Sequence, residues 1–482
     1  MDLSVTTQGK PTAARVYILD VAGKALSIPN AVSYIRRNET HSIVDGGKRF
    51  TLPAGMYTIR AEKGTEFLPS SQSIDVPAQG LTRVHLDLPR FVDMNARGWY
   101  SGDLHIHRSP IEMPLLARAE ELNVSPVITR HLGGPRAADA AYPAQAMAPS
   151  DATHLVSVQN QEIERLQRGH GAIDLLNAPT AAAARMMTHY PMEVDFARAA
   201  RAEGAFADAE KPIWKHVPVT LALGQVDAIG VVNNHFHPNG MLLDAETYGS
   251  MEREKPEYKT IAGFAQWMLD LYSSFLNCGF RIPVSAGSAS GVMPSWPGYE
   301  RVYVHLDGPF TYERWFARLK AGASFATNGP LLFVTANGKQ PGSEFQWSKP
   351  TKVRLSIETR SQASIERIEV VLNGEVIRRL HPRSSTFQQT ISINVAKPGW
   401  LAVRCFEPVT NTIRYAHTTP FWFPQNGKLP AQPADARRWA EFVRHLAATL
   451  SPSDYLSAED HRAASSAYRQ AIEFYEGLIA SK

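Results

Sequence analysis

The sequence predicts a multidomain protein of the α/β plus β class, in which an α/β core is flanked by two β-sandwich domains and followed by a helical pair. The chain has 482 residues, which exceeds the size of one ordinary domain. Alternating apolar residues typical of strands dominate both flanks, whereas the middle mixes short apolar runs with helical stretches. These changes divide the chain into a first β-sandwich at 1–94, the α/β core at 95–335, a second β-sandwich at 336–425, and a linker with the helical pair at 426–482.

The first flank carries strand patterns and turn signals. A Pro-Ala-Gly turn precedes an alternating run at 52–60, and Val84, Leu86 and Leu88 alternate with polar residues. In the middle, the clearest helix has one apolar face, followed by Gly279 as a C-cap. That face consists of Ile261, Phe264, Met268, Leu271 and Phe275.

The second β region begins where Val353, Leu355 and Ile357 alternate with polar residues. Asn373-Gly374 between apolar residues predicts a tight β-hairpin. A proline-rich linker at 420–433 precedes two amphipathic helices. Their apolar faces comprise Trp439, Phe442, Val443, Leu446 and Leu450 in the first, and Tyr468, Ala471, Ile472 and Tyr475 in the second.

Composition narrows the functional classes. A formal charge of +4 and the lack of a long basic run give no support for nucleic-acid binding. The sequence contains no run of about 18 apolar residues, so we predict no membrane span. We expect a secreted or periplasmic protein if a signal peptide has been removed, and a cytoplasmic one otherwise. Cys278 and Cys405 are too few for a cysteine-rich zinc site or a disulfide framework.

The strongest chemical signal is Asp103-Leu104-His105-Ile106-His107. Residues i and i+2 of a strand face the same side, so His105 and His107 can present two imidazoles to one metal ion. Asp103 shares their parity and is a candidate for orienting a ligand histidine. Two histidines on a solvated strand face are the alternative interpretation.

This segment resembles the first motif of the PHP superfamily, and in particular the carbaryl-hydrolase-like (CehA/McbA) metallohydrolases. The match spans Gly-Trp-Tyr-Ser-Gly-Asp-Leu-His-Ile-His at 98–107. A second match, Leu-Lys-Ala-Gly-Ala-Ser-Phe-Ala-Thr-Asn-Gly-Pro at 319–330, resembles the segment that closes the catalytic domain in that group. The resemblance implies a distorted (β/α)7 barrel that holds divalent transition metals, with zinc, manganese or iron as candidates.

The resemblance also implies ligands further along the chain. His131 matches the histidine of the second motif, whereas Arg130 stands where an acid is usual and is a candidate for holding an anionic group. Glu162 is the candidate for the bridging glutamate, with Glu164 as the alternative. His170 matches the histidine that follows. Structural or surface roles for Arg130 and His170 remain alternatives.

Two later motifs are altered. Glu210 occupies the place of an Ala-His-Pro histidine and is a candidate for a metal ligand or a general base. His235 lies near the end of a buried strand and is the preferred ligand of the pair that it forms with His237. In the last motif, Gly-Ser-Asp-x-His, the acid and the histidine are replaced by Ala289 and Gly291, which cannot bind a metal.

Three hypotheses follow. The first is a metal-dependent hydrolase of a small-molecule ester, amide, carbamate or phosphoester that uses a metal-activated water. The second is a lyase, isomerase or redox enzyme with a single metal, motivated by Arg130 and Ala289. The third is a non-catalytic binding protein on a degenerate core. The substrate, the oligomeric state, and a pocket role for Ser288, Ser290 and Tyr299 stay open.

Overall fold

The computed structural model describes residues 1–36, 39–132, 142–164, 170–179, 189–244 and 249–480. Within these ranges the protein has a mixed α/β structure, with seven α-helices and strands distributed over several sheets. None of the described helices combines the length and the apolarity that crossing a membrane requires.

The N-terminal region consists of strands alone among its described residues. These are β1 (Asp2–Thr7), β2 (Lys10–Pro11), β3 (Ala13–Asp20), β4 (Ala25–Leu26), β5 (Ser33–Arg36), β6 (Glu39–Asp45), β7 (Gly47–Arg49), β8 (Gly55–Glu62), β9 (Ser70–Val76) and β10 (Arg83–Asp87). They form two sheets, one in the order β10-β1-β2 and one in the order β5-β6-β3-β8-β9. Val5, Val16 and Ile59 share one apolar core, which joins the two sheets by hydrophobic burial.

The middle of the chain alternates strands and helices. Its strands are β11 (Trp99–Gly102), β12 (Val124–Leu132), β13 (Leu155–Glu164), β14 (Ala172–Leu176), β15 (Phe206–Asp208), β16 (Ile229–Asn233), β17 (Val284–Gly287), β18 (Arg301–His305) and β19 (Ser324–Thr327). Its helices are α1 (Met113–Glu120), α2 (Glu193–Ala202), α3 (Val217–Ala222), α4 (Ile261–Leu276) and α5 (Tyr312–Lys320). The apolar face predicted at 261–275 therefore lies on α4, and Thr260 caps that helix at the Gly263 amide.

The C-terminal region returns to strands and ends in two helices. Its elements are β20 (Leu331–Ala336), β21 (Thr351–Ile365), β22 (Arg367–Leu372), β23 (Glu375–Leu380), β24 (Ser384–Val395), β25 (Gly399–Phe406), β26 (Tyr415–Thr418), β27 (Phe421–Phe423), α6 (Pro433–Ala448) and α7 (Ala458–Ala480). Asn373 and Gly374 both have positive φ, as a tight turn between β22 and β23 requires. The ring of Trp439 stacks on Phe275 at 4.3 Å between centroids, which packs α6 on α4.

The central sheet is open in the described residues. Its order is β15-β14-β13-β12-β11-β18-β19-β26-β25-β22-β23, and β16 and β17 form a separate parallel pair. The predicted barrel is therefore not a closed ring of paired strands in this part of the chain. The reason is that β19 pairs with β26 of the C-terminal region, so the sheet extends across the predicted boundary near residue 335.

Candidate functional site

The segment after β11 carries the predicted His-x-His pair on one side. Ile106 is fully buried and packs with Val127 and Val158 in a small apolar core. Because neighbouring residues of an extended segment face opposite sides, His105 and His107 both turn to the other side. There the chain passes close to Gly287, where an added Cβ would lie only 2.4 Å from the Cβ of His105.

Three donor atoms converge on this side. The Nε2 atoms of His105 and His107 are 2.8 Å apart, and they lie 3.6 and 3.2 Å from Oε2 of Glu162. His131 approaches the same carboxylate oxygen at 3.4 Å and Glu164 Oε2 at 2.6 Å. These five side chains form the cavity cluster, and its donors are those that a divalent metal ion accepts in proteins.

Strand register explains this convergence. His131 on β12 lies opposite Glu162 on β13, Glu162 opposite Asp174 on β14, and Asp174 opposite Asp208 on β15. Residues in register on adjacent strands project from the same face of a sheet. The four side chains therefore form one row across four strands, and His105 lies beside it with Nδ1 3.5 Å from Asp174.

The cavity cluster opens into a cavity of about 440 Å³, a size typical of small-molecule sites. Its wall contains both polar and apolar side chains. The further lining residues are Glu210, Lys211, Trp214, Asn234, His235, Leu242, Asp244, Ala289, Val292 and Met293. A small ligand in this cavity would have both polar donors and apolar side chains within reach.

Glu210 lines the cavity and approaches the Nδ1 side of His105. Its Oε1 is 3.0 Å from Nδ1 of His105, and its Oε2 accepts a 2.8 Å hydrogen bond from the indole of Trp214. Lys211 forms an ion pair with the same carboxylate. Glu210 thus approaches the Nδ1 side of His105, whereas Nε2 faces His107 and Glu162. A carboxylate on the far side of the ring is a common partner of a ligand histidine.

His235 reaches the same cavity from the turn after β16. Its Nδ1 donates a 2.8 Å hydrogen bond to the carbonyl of Leu242, which leaves Nε2 as the atom with a free lone pair. Burial and the charge of Lys211 lower the pKa of His235 to about 3, so the ring is neutral. His237 is also buried, but it is not among the residues that line the cavity.

The buried carboxylates give the site a negative potential. Burial alone would lower the pKa of His105, but Asp174, Glu162 and Glu210 raise it well above its ordinary value. Burial also favours a lower pKa for His131, and Glu162 and Glu164 raise it to about 9. Both shifts have the same physical cause, because several carboxylates in a region of low dielectric favour any nearby cation.

Asp103 is buried outside the cavity and does not contact an imidazole ring, contrary to the predicted orienting role. Its Oδ1 accepts from the amides of His105 and Ser288, at 3.1 and 3.0 Å. Its Oδ2 accepts from the Ser288 hydroxyl and, at 2.7 Å, from the Gly298 amide. Asp103 therefore fixes the backbone of His105 against the segment 288–298, and Ser288 is occupied by this contact.

Two other predicted site residues lie elsewhere. Arg130 does not line the cavity; its guanidinium lies 5.5 Å from the ring centroid of Tyr142, because on β12 it faces away from its neighbour His131. His170 is buried beside His189, with Nε2 2.5 Å from Nδ1 of that ring. The structure thus separates Arg130 and His170 from the cavity cluster.

The structure also places the candidates whose role the sequence left open. Ser290 is buried, and its carbonyl accepts from the His107 amide at 2.7 Å. Tyr299 lines a different, polar cleft of about 370 Å³. Ala289 does line the cavity, at the position where the resemblance implies an acid.

Several residues of the site were missed from the sequence. Asp174 and Asp208 complete the row of acids, and Lys211 and Trp214 contact Glu210. The available signal was a charged residue within a short apolar strand, as in Ala-Ile-Asp-Leu-Leu at 172–176, because a buried carboxylate needs a compensating partner. Asn234, Leu242 and Asp244 gave no comparable signal.

Comparison with known proteins adds no assignment. No family model matches this chain, and a search of curated proteins finds no significant relative.

Proposed function

We propose that this chain is a metal-dependent hydrolase acting on a small-molecule ester, amide, carbamate or phosphoester. The observation that carries the proposal is the convergence of His105 Nε2, His107 Nε2 and Glu162 Oε2 at the wall of the cavity. His131 and His235 line the same cavity and are the further ligand candidates. The resemblance at 98–107 and 319–330 supports the reaction class.

The donor set fits a first-row divalent ion. An ion about 2.0–2.1 Å from each donor in tetrahedral geometry separates the donors by roughly 3.3 Å. The three separations in the protein are 2.8, 3.2 and 3.6 Å, which bracket that value. Glu210 at 3.0 Å from His105 Nδ1 supplies the carboxylate that commonly orients a ligand histidine.

When bound, such an ion lowers the pKa of a water molecule and polarises the bond to be cleaved. The protein's own contribution is to hold the ligands and to bind the substrate. Trp214, Leu242, Val292 and Met293 offer an apolar surface next to the donors. This surface suits the apolar part of a small substrate and excludes bulk water from the reacting bond.

The architecture that fits this proposal is a PHP-type core, built as a distorted arrangement of β and α elements, between two β-sandwich domains. The two sheets that share one core in the N-terminal region support the first sandwich. The candidate ligands lie after β11 and β16 and within β12 and β13, and their order along the chain supports the core because it follows the motif order of that group.

A second candidate function is a lyase, isomerase or redox reaction at one metal ion. Ala289, which lines the cavity where an acid is expected, favours a smaller ligand set than two-metal hydrolysis uses. Mass spectrometry of the products formed in ¹⁸O-labelled water distinguishes the two candidate functions, since hydrolysis incorporates one labelled oxygen atom from water into a product.

The first experiment measures bound metal in the purified protein by elemental analysis. We expect at least one equivalent of zinc, manganese or iron, lost in the His105→Ala, His107→Ala double variant. The matched control is His85→Ala, His381→Ala, which removes two exposed histidines that do not line the cavity. No metal as purified and none taken up from added Zn²⁺, Mn²⁺ or Fe²⁺ would refute the proposal.

The second arm measures activity on the same samples. We expect the protein to cleave p-nitrophenyl acetate or bis(p-nitrophenyl) phosphate, to lose this activity after chelation, and to regain it when the metal is restored. The histidine control pair keeps both properties. Full metal occupancy together with inertness toward ester, amide, carbamate and phosphoester probes would favour the second candidate function instead.

A further inference from the structure

Two loops of the core contribute to the cavity wall. The first loop, 289–299, contributes Val292 and Met293. The second loop, 234–244, contributes Leu242. Neither loop contains a strand, and their helical structure is limited to one 3₁₀ turn in the second loop. Because such segments lack the ladder of a sheet or the bonds of a long helix, their position depends on contacts with other parts of the molecule.

The core itself fixes the ends of the first loop. Asp103 accepts from the amides of Ser288 and Gly298, at 3.0 and 2.7 Å. The amide of His107 donates to the carbonyl of Ser290 at 2.7 Å. These contacts lie at the two ends, so the middle of the loop, which carries the apolar wall, depends on further contacts.

The N-terminal region supplies contacts to that middle part. The hydroxyl of Tyr34 on β5 donates to the carbonyl of Met293. The guanidinium of Arg15 on β3 lies 3.6 Å from the ring centroid of Trp296, and the ring of His41 on β6 meets the same indole edge to face at 6.5 Å. A buried hydrogen bond and a stacked guanidinium both favour one position of the loop.

The second loop is held by the same group of side chains. Oε2 of Glu39 accepts a 2.8 Å hydrogen bond from the side-chain amide of Asn239. Its Oε1 accepts from the Tyr17 hydroxyl and contacts Nδ1 of His41, each at 2.7 Å. One carboxylate therefore connects the second loop to the histidine that packs on Trp296 of the first.

Folding of the N-terminal region does not by itself account for these polar side chains. The core that joins its two sheets is apolar. Arg15, Glu39 and His41 are nevertheless at most 3% exposed. Buried polar groups are costly unless they are bonded, and several of their partners lie on the two loops. The contacts that offset this cost are therefore contacts to the cavity wall.

We propose that the N-terminal β region forms part of the substrate site, with Tyr34, Arg15 and Glu39 as positioning residues for the apolar wall of the cavity. The acyl or alkyl part of a substrate meets Val292 and Met293 where this region holds them. The region thereby sets the selectivity for the size of that part. The inference rests on the proposed function and adds a determinant of substrate binding that is separate from the metal ligands.

The first measurement follows the loop itself, by hydrogen–deuterium exchange and mass spectrometry of the peptides that cover 289–299. Tyr34→Phe removes the hydroxyl that bonds Met293 and keeps the ring. The matched control is Tyr57→Phe, because Tyr57 is also buried in this region but donates to the Pro53 carbonyl within it, at 3.2 Å. We expect faster exchange of the loop in Tyr34→Phe and wild-type exchange there in Tyr57→Phe.

The second measurement compares the hydrolysis of p-nitrophenyl acetate and p-nitrophenyl butyrate. We expect Tyr34→Phe to raise KM for the butyrate ester by about two- to tenfold, the effect of one lost hydrogen bond, and to raise KM for the acetate ester less. The kcat and the bound metal per chain should match the wild type, since only substrate binding is weakened. Asn239→Ala, which removes the contact of the second loop with Glu39, should act in the same direction.

The outcomes separate this inference from the proposed function. Unchanged exchange of the loop in Tyr34→Phe refutes the positioning role, whatever the activity. Equal changes of KM in Tyr34→Phe and Tyr57→Phe also refute it, as does a loss of bound metal that accompanies the change. A wild type without metal and without esterase activity refutes the proposed function instead. Asn239 is exposed, so Asn239→Ala and exchange of the second loop still decide the matter if Tyr34→Phe does not fold.

Discussion

Two buried groups of histidines and acids lie in the middle of this chain, and they differ in how their donor atoms are directed. In the cavity cluster, His105 and His107 both turn Nε2 toward Glu162. In the second group, His170 turns Nε2 toward His189 but Nδ1 toward Glu193, at 2.5 and 3.6 Å.

Convergence of donor atoms, more than composition, makes the cavity cluster the better candidate for a metal site. One ion contacts a histidine through one ring nitrogen, so it cannot use His170 to join His189 and Glu193 at the same time. In the cavity cluster one atom each of His105, His107 and Glu162 lies within 3.6 Å of the other two. The cavity cluster also lines a cavity that a ligand can enter, and the second group is not part of that lining.

The largest expected effect comes from removing one carboxylate charge from each group. Glu162→Gln keeps the size of the side chain but removes the negative charge that His105 and His107 face. We therefore expect metal affinity to fall at least about 100-fold, more than the loss of a residue that only supports a ligand would cost. Glu193→Gln, the matched variant in the second group, should leave affinity unchanged. Calorimetric titration with Zn²⁺ measures both variants.

Equal losses in the two variants would contradict this distinction between the two groups, since they would mean that metal binding responds to any buried charge in this region. A loss in Glu193→Gln alone would move the metal site to the second group. Thermal melting of both apoproteins controls for unfolding, and an intact melting transition is required before either affinity is interpreted.

A smaller effect is expected at Asp103, which supports the cavity cluster through the backbone. The carboxylate of Asp103 accepts hydrogen bonds from groups of His105, Ser288 and Gly298. In Asp103→Asn, the new NH₂ group is itself a donor and would face one or more of these donors. We expect a loss of about 1–3 kcal/mol in the free energy of unfolding, the cost of a buried polar group left unsatisfied. Urea denaturation of the apoprotein measures this loss.

The control at this position is Ser288→Ala, which removes one hydroxyl donor and leaves the three amide contacts of Asp103. It should destabilise the protein less than Asp103→Asn does. If Asp103→Asn lowers catalytic activity with no change in stability, then Asp103 serves the site directly, for example by orienting a ligand histidine as the sequence predicted, and the backbone role is wrong.

Local patterns in the sequence were sufficient to predict many elements. Alternation indicated the β-rich ends and the pairing of His105 with His107, and the 3.6-residue period indicated α4, α6 and α7. Those patterns act within one segment. Glu162, His131, His235 and Glu210 were predicted from motif order, and they line one cavity with His105.

Properties that depend on pairing between segments were not predictable. Asp174 joins the row because β14 pairs with β13 in one register, and no local pattern encodes that register. The pairing of β12 with β13 shifts register between Ile128 and Arg130, so simple alternation along β12 misjudges which residues share a face. The open sheet has the same origin, because β26 lies far from β19 in the sequence.

The smallest expected effect tests the face of β12 on which Arg130 lies. Arg130 is in register with Gln161, and Tyr142 donates to Gln161 Oε1 at 2.6 Å, so these three side chains lie opposite His131 and Glu162.

Arg130→Asp introduces the acid that the resemblance implies. Because this side chain points away from the cavity cluster, we expect metal stoichiometry to stay the same and activity to fall far less than in His131→Ala. Elemental analysis and ester cleavage measure these quantities, with His131→Ala as the variant on the opposite face. An additional equivalent of metal in Arg130→Asp would show that this side chain reaches the site.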